Sequence, residues 1–141
     1  MMVNRFKMLF LLLCLVPVIW LCWQQSFTLI DIFDLQYERI KVNGAINDAA
    51  SFSGLVIVSG VVVLGIISLI TGKPARWVPK IVFVIFGCMV LVAFIAGWSM
   101  NITLKQKLND KGFVECASER ELALKYSSRT YVLDPSLCEK F

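Results

Sequence analysis

Two uninterrupted apolar runs set the plan of this chain. Residues 52–71, FSGLVIVSGVVVLGIISLIT, and residues 81–100, IVFVIFGCMVLVAFIAGWSM, are each twenty residues long and carry no charge. Twenty helical residues rise about 30 Å, the thickness of a hydrocarbon core. Their Val and Ile content would suit strands in water. In lipid a lone segment must satisfy its own backbone polar groups, so both runs are predicted as transmembrane helices. A third run, residues 8–23, MLFLLLCLVPVIWLCW, follows Arg5 and Lys7. Sixteen residues behind a basic start also have the shape of a signal peptide. The small-residue cleavage pattern is missing after it, bulky Leu13 spoils a lipoprotein signal at Cys14, and Trp20 and Trp23 suit an interfacial belt. The favoured reading is a retained first helix over about 6–23, with Pro17 as a place for a kink.

The polar positions fall into a first loop, 24–51, and a tail, 105–141. In the loop, Ile30, Phe33, Tyr37 and Ile40 recur at three and four residues, which predicts a helix with one apolar face. Asp31, Asp34 and Glu38 then form an acidic face, and Asn43-Gly44 ends the helix. That face reads either as a solvated surface over a helix at the membrane interface or as a docking surface for a basic partner. In the tail, GFVEC and RTYVL are short and β-prone, and predict a hairpin. Between them Ser118 and Glu121 fit a capping box opening a short helix to about Tyr126. The predicted fold class is an all-α membrane protein. A three-helix transmembrane region, 1–104, precedes a small, disulfide-stapled extracytoplasmic tail, 105–141.

Charge sets the orientation. The chain is 58% hydrophobic, with 17% charged residues and a mean hydropathy of +0.76, outside the range of soluble domains. The net charge of +4 comes from short basic clusters beside apolar runs, without a basic stripe, which excludes a nucleic-acid partner. Arg5 and Lys7, with Lys73, Arg76 and Lys80 of the tight loop GKPARWVPK, fall on one side of a three-span chain. Arg39, Lys41, Lys105, Lys107 and Lys111 fall on the other, so the count beside the apolar runs is five against five. The N-terminal cluster and the compact middle loop decide for a cytoplasmic N-terminus and a periplasmic C-terminus. On that side Cys116 and Cys138 meet an oxidising space and are expected to pair. The other reading is two unpaired cytosolic thiols. Cys14, Cys22 and Cys88 lie in apolar runs as small packing residues.

Candidate chemistry is sparse. The chain has no histidine, no Gly-rich phosphate loop and no nucleophile elbow, and two thiolates 22 apart do not match a zinc pattern. No enzyme activity, metal or cofactor is therefore expected. The runs after residue 52 hold no ionisable side chain, which argues against an ion-coupled transporter. Gly60, Gly65, Ala93 and Gly97 are read as helix-packing positions. Asn101-Ile102-Thr103 matches a glycosylation sequon, but it sits too near the membrane to carry weight.

The tail pattern KGFVEC…SSRTYVLDPSLC, placed after a closing apolar run, resembles small uncharacterised inner-membrane proteins of enterobacteria, classed as a domain of unknown function. The resemblance is most specific over residues 112–138. Proteins of this size and layout resemble immunity proteins, which implies a protein toxin as partner beside the lipid bilayer, with a homo-oligomer left open. A resident blocker needs anchoring helices and an outward recognition surface, and no catalysis. The candidate recognition residues are Asp31, Asp34, Tyr37 and Glu38 in the loop, with Tyr126, Arg129 and Tyr131 in the tail. The aromatics and Arg129 are types enriched in binding hot spots, and the carboxylates would steer a basic partner. The alternative is an accessory or assembly subunit of an envelope complex. A redox protein is disfavoured, because the tail cysteines lack Cys-x-x-Cys spacing.

Overall fold

The computed structural model describes residues 4–34, 36–123 and 127–138. Three long helices carry most of the chain: α1 (Arg5–Ile32), α2 (Ala45–Thr71) and α3 (Lys80–Asp110). Each is long and apolar enough to cross a membrane. Pro17 sits inside an uninterrupted α1. At the end where α2 and α3 are joined, the helix ends match the apolar runs, and Gly72 closes α2 in the left-handed conformation that glycine adopts at no steric cost. At the opposite end all three continue past the runs, by nine, seven and ten residues, or about 10–15 Å of helical stalk.

Helix α2 is the middle of the bundle, and glycines let its neighbours approach. A Cβ at Gly65 would lie 2.8 Å from Leu12 of α1, and one at Gly60 would overlap the Phe86 ring of α3. The two glycines are five positions apart, about 140° around the helix, so each serves a different neighbour. At Gly97 of α3 a Cβ would meet backbone rather than a side-chain end: Ala49 Cα at 2.9 Å and Asp48 O at 3.0 Å. Ala93, one turn earlier on α3, is half-buried.

The stalks carry an antiparallel sheet. Its strands are β1 (Arg39–Asn43), β2 (Val114–Glu115), β3 (Glu121–Leu122) and β4 (Ser127–Val132). Strand β4 is central: β1 pairs along one edge with Ile40 opposite Tyr131, while β2 and then β3 share the other. The expected pairing of GFVEC with RTYVL is present as β2 on β4, with Glu115 opposite Tyr131. The sheet also takes in a strand from the first loop, so loop and tail form one head.

Two local expectations are corrected. The helix expected through Asn43 stops at Ile32, and residues 39–43 are strand. Ile40 and Val42 alternate with Arg39 and Lys41 at period two, and burial follows that alternation. The capping-box helix after Ser118 is absent too: Ala117–Glu119 is one 3₁₀ turn, and Glu121 enters β3. Tyr126, where that helix was to end, lies outside the described residues. The Glu121 carboxylate accepts hydrogen bonds from Lys41 Nζ at 3.1 Å and Ser128 Oγ at 2.9 Å instead of capping a helix.

One sheet face rests on the stalks. Ile40, Val42 and Tyr131 pack with Leu29 of α1, Leu104 and Leu108 of α3, and Phe113, with Phe52 and Met100 at the margin. Strand β4 carries small polar residues, Ser128 and Thr130, opposite Asn43 and Lys41. Arg39 reaches Glu119 at 2.7 Å and Lys41 reaches Glu121 at 3.1 Å, so long side chains from one edge bond to the other over the central strand. Cys116, buried beside this strand, forms a disulfide with Cys138. Cys14, Cys22 and Cys88 are free.

Two outcomes are expected from this packing. In Cys116→Ser, loss of the staple removes about 3 kcal/mol from head stability, the loop-closure entropy of a chain segment of this length. Urea titration followed by limited proteolysis should cut residues 112–138 first, with the helices intact by circular dichroism. Gly97→Leu should force α2 and α3 apart at about 1–3 kcal/mol, because the atoms it meets are backbone, whereas Gly87→Ala, with no atom within 4 Å of its Cβ, should be neutral in the same thermal melt.

Candidate functional site

Where the stalks meet the sheet, polar groups are buried. Asp48 lies in the first turn of α2, before the apolar run, and is 2% exposed; Asn101, one turn beyond Gly97 on α3, is fully buried. The Asn101 side-chain amide donates to Asn43 O at 2.9 Å and to the Asp48 carboxylate. One side chain thus ties the end of β1, the start of α2 and α3 together. Burial pushes the Asp48 carboxyl above its ordinary range, against the lowering effect of its bond to Asn101. The Oδ1 of Asn101 is buried without a protein partner. Among the described residues no three His, Cys, Asp or Glu side chains converge as metal ligands.

The head presents two flanks beside this joint. At the first, Tyr37 and Glu38 line a shallow pocket of about 300 Å³ with Lys111, Phe113 and Leu133. The Glu38 carbonyl accepts from Leu133 N at 3.1 Å, which fixes this segment against the end of β4. Asp31 and Asp34 are exposed where α1 ends and the chain turns. Lys107 stands over the Phe33 ring at 4.4 Å, so α3 braces that turn by a cation–π contact.

The second flank is basic. Lys105 and Arg129 line a pocket of about 270 Å³ with Trp98, Leu122 and the first residues of α2. Burial, and then the nearby Arg129 guanidinium, holds the Lys105 ammonium below the usual lysine range. Arg129 Nη1 lies 3.4 Å from Glu115 Oε2, while Glu115 Oε1 accepts from Arg120 at 2.6 and 2.9 Å.

The structure therefore divides the candidate recognition residues. Tyr37 and Glu38 come together, Asp31 and Asp34 sit at the end of the neighbouring stalk, and Arg129 belongs to the other flank. Tyr131 is in the core at 8% exposure, where burial raises its phenol above the ordinary range, and it offers no recognition surface. Tyr126 lies outside the described residues. Sequence reasoning passed over Asp48, Asn101 and Lys105. The available signal was position: Asn101 is the first amide after an apolar run, four residues from a glycine.

A comparison with curated proteins returns no match, and neither does one with solved structures. A family model described as a protein of unknown function (DUF1240) does match, over residues 42–139. The matched stretch opens inside β1 and takes in α2, α3 and the tail strands, so it contains both Asp48 and Asn101 of the joint. The chain belongs to the DUF1240 family of proteins of unknown function.

Proposed function

We propose that this is a multi-pass protein of the bacterial inner membrane that binds and neutralises a membrane- or envelope-targeting protein toxin, without catalysis. The observation that carries the reading is the polarity of the bundle. Arg5, Lys7, Lys73, Arg76 and Lys80 flank the apolar runs at one end, with no Asp or Glu in 1–23 or 72–80. The ten acidic residues and the other nine basic ones (fourteen less five) belong to the opposite end of the sequence plan. Basic flanks free of acidic residues favour the cytoplasm, which supports a periplasmic head, where a disulfide persists.

The head suits recognition from that side. A sheet packed on helical stalks and closed by a disulfide loses little conformational entropy on binding. Asp31 and Asp34 sit at the C-terminal end of α1, where the helix dipole disfavours anions and no basic residue occupies the last turn. Carboxylates in a locally unfavourable place, a few residues before exposed Tyr37 and Glu38, support an acidic, aromatic surface for a basic partner, with Lys111 at its edge.

An accessory or assembly subunit is the second reading. It is favoured by an apolar groove of about 560 Å³ between α2 and α3, lined by Ser59, Gly60, Val63, Phe83, Phe86 and Met89, which suits another helix within the bilayer.

Deleting the gene with its neighbours intact should lower survival under attack by sibling cells. Tyr37→Ala with Glu38→Ala should lose protection at unchanged abundance and with the disulfide formed. A periplasm-dependent reporter fused after Phe141 should be active. Unchanged survival, with no toxin recovered on the full chain in detergent, would favour the accessory-subunit reading; a silent periplasmic reporter beside an active cytoplasmic one would reverse the topology.

A further inference from the structure

The basic flank has a chemistry that the toxin-binding reading does not use. Lys105 takes part in no salt bridge among the described residues. Arg129 has the long contact to Glu115, whose other oxygen is held by Arg120, and a bond to the Tyr131 hydroxyl, which leaves guanidinium N–H groups for a ligand. Two cations thus line one pocket with one shared carboxylate between them and Arg120. The pocket also includes Gly44, Ala45 and Ile46 at the start of α2, a helix with no side-chain cap, so first-turn N–H groups add positive potential there. Asp48 in that turn accepts from Asn101, does not line the pocket, and acts on Lys105 through charge alone, as Glu115 does.

The apolar part of the pocket wall narrows the ligand. Trp98, Ile46 and Leu122 line it and are 38%, 64% and 69% exposed. Trp98 lies in the apolar run of α3, whereas Lys105 stands five residues, or about 8 Å, past the end of that run. Cations above the Trp98 ring, at the level where hydrocarbon gives way to water, match an anionic headgroup on its acyl chains.

The geometry points to a binding site for a phosphate oxyanion between Lys105, Arg129 and the N-terminus of α2, filled by the headgroup of an anionic phospholipid. Lys105 and Arg129 donate charge-assisted hydrogen bonds to the phosphate, and Trp98 meets the start of the acyl chains. The site fixes the height of the head over the membrane. Its lipid source rests on the membrane reading above, whereas its phosphate chemistry does not.

Native mass spectrometry of the full chain in detergent tests it, with phosphatidylglycerol, phosphatidylcholine and inorganic phosphate as probes. Phosphatidylglycerol should be retained over phosphatidylcholine. Lys105→Gln and Arg129→Gln should each weaken retention by about tenfold, the worth of one charge-assisted hydrogen bond, while Lys105→Arg keeps it. Lys73→Gln with Arg76→Gln, at the other end of the bundle, should change nothing. Inorganic phosphate separates the sources: displacement of the lipid assigns the site to the oxyanion itself, and failure to displace assigns it to headgroup and chains together. Disulfide formation and circular dichroism exclude misfolded variants. Unchanged retention in both Gln variants, loss in the Lys73/Arg76 pair alone, or no binding of any probe overturns the site.

Discussion

The Asn101 carboxamide donates to a strand carbonyl and to a helix carboxylate, and the seating of the head follows from that pair of bonds. Asn43 ends β1 and Asp48 opens α2, so one side chain of α3 sets the angle at which the chain leaves the sheet and enters the bundle. The contact is possible because Gly97, one turn below, lets the backbone of α2 come within side-chain reach. Removing the amide would leave the Asn43 carbonyl without its side-chain donor and the buried Asp48 carboxyl with the Asn43 side chain only, which is costlier than losing two exposed hydrogen bonds. An apolar residue could pack at position 101, but it could not select one register between strand and helix.

The apolar runs were legible because their signal is length, which needs no tertiary context. The disulfide followed from an orientation argument, and the β2–β4 pairing from two β-prone pentads near each other in sequence. The path between Asn4 and Gly44 was less legible. Ile30, Phe33, Tyr37 and Ile40 fit a helical period, while Ile40 and Val42 against Arg39 and Lys41 fit a strand period. The choice is made by β4, some ninety residues later, whose edge β1 completes. No local window holds that information, and it also decides against the capping box, since Glu121 is taken by Lys41 of β1 and Ser128 of β4.

The candidate site was legible in part for the same reason. Tyr37 and Glu38 could be nominated by type, and they share a flank of the head. Tyr131 could not be kept, because a β-strand residue declares its face only when its neighbours are known, and Ile40 opposite turns it inward. Lys105 looked like one more membrane-flanking cation. Its half-buried position beside Arg129 depends on β4 lying over the end of α3. Asn101 looked like part of an idle sequon, although burial leaves its side chain closed to any modifying enzyme.

Three choices in the sequence then serve one mechanical end. The stalks are continuous with the apolar helices, and β1 passes into α2 through Gly44 alone. Small Ser128 and Thr130 on the central strand leave room for the Arg39 and Lys41 side chains to reach the far edge. The disulfide closes the segment that no helix supports. Each removes a degree of freedom between the Tyr37–Glu38 flank and the bundle. In the toxin-binding reading proposed above, a partner bound at Tyr37 and Glu38 would be held at a fixed distance and angle from the helices, as blocking an inserting protein requires, whereas a tethered head would only raise the partner's local concentration.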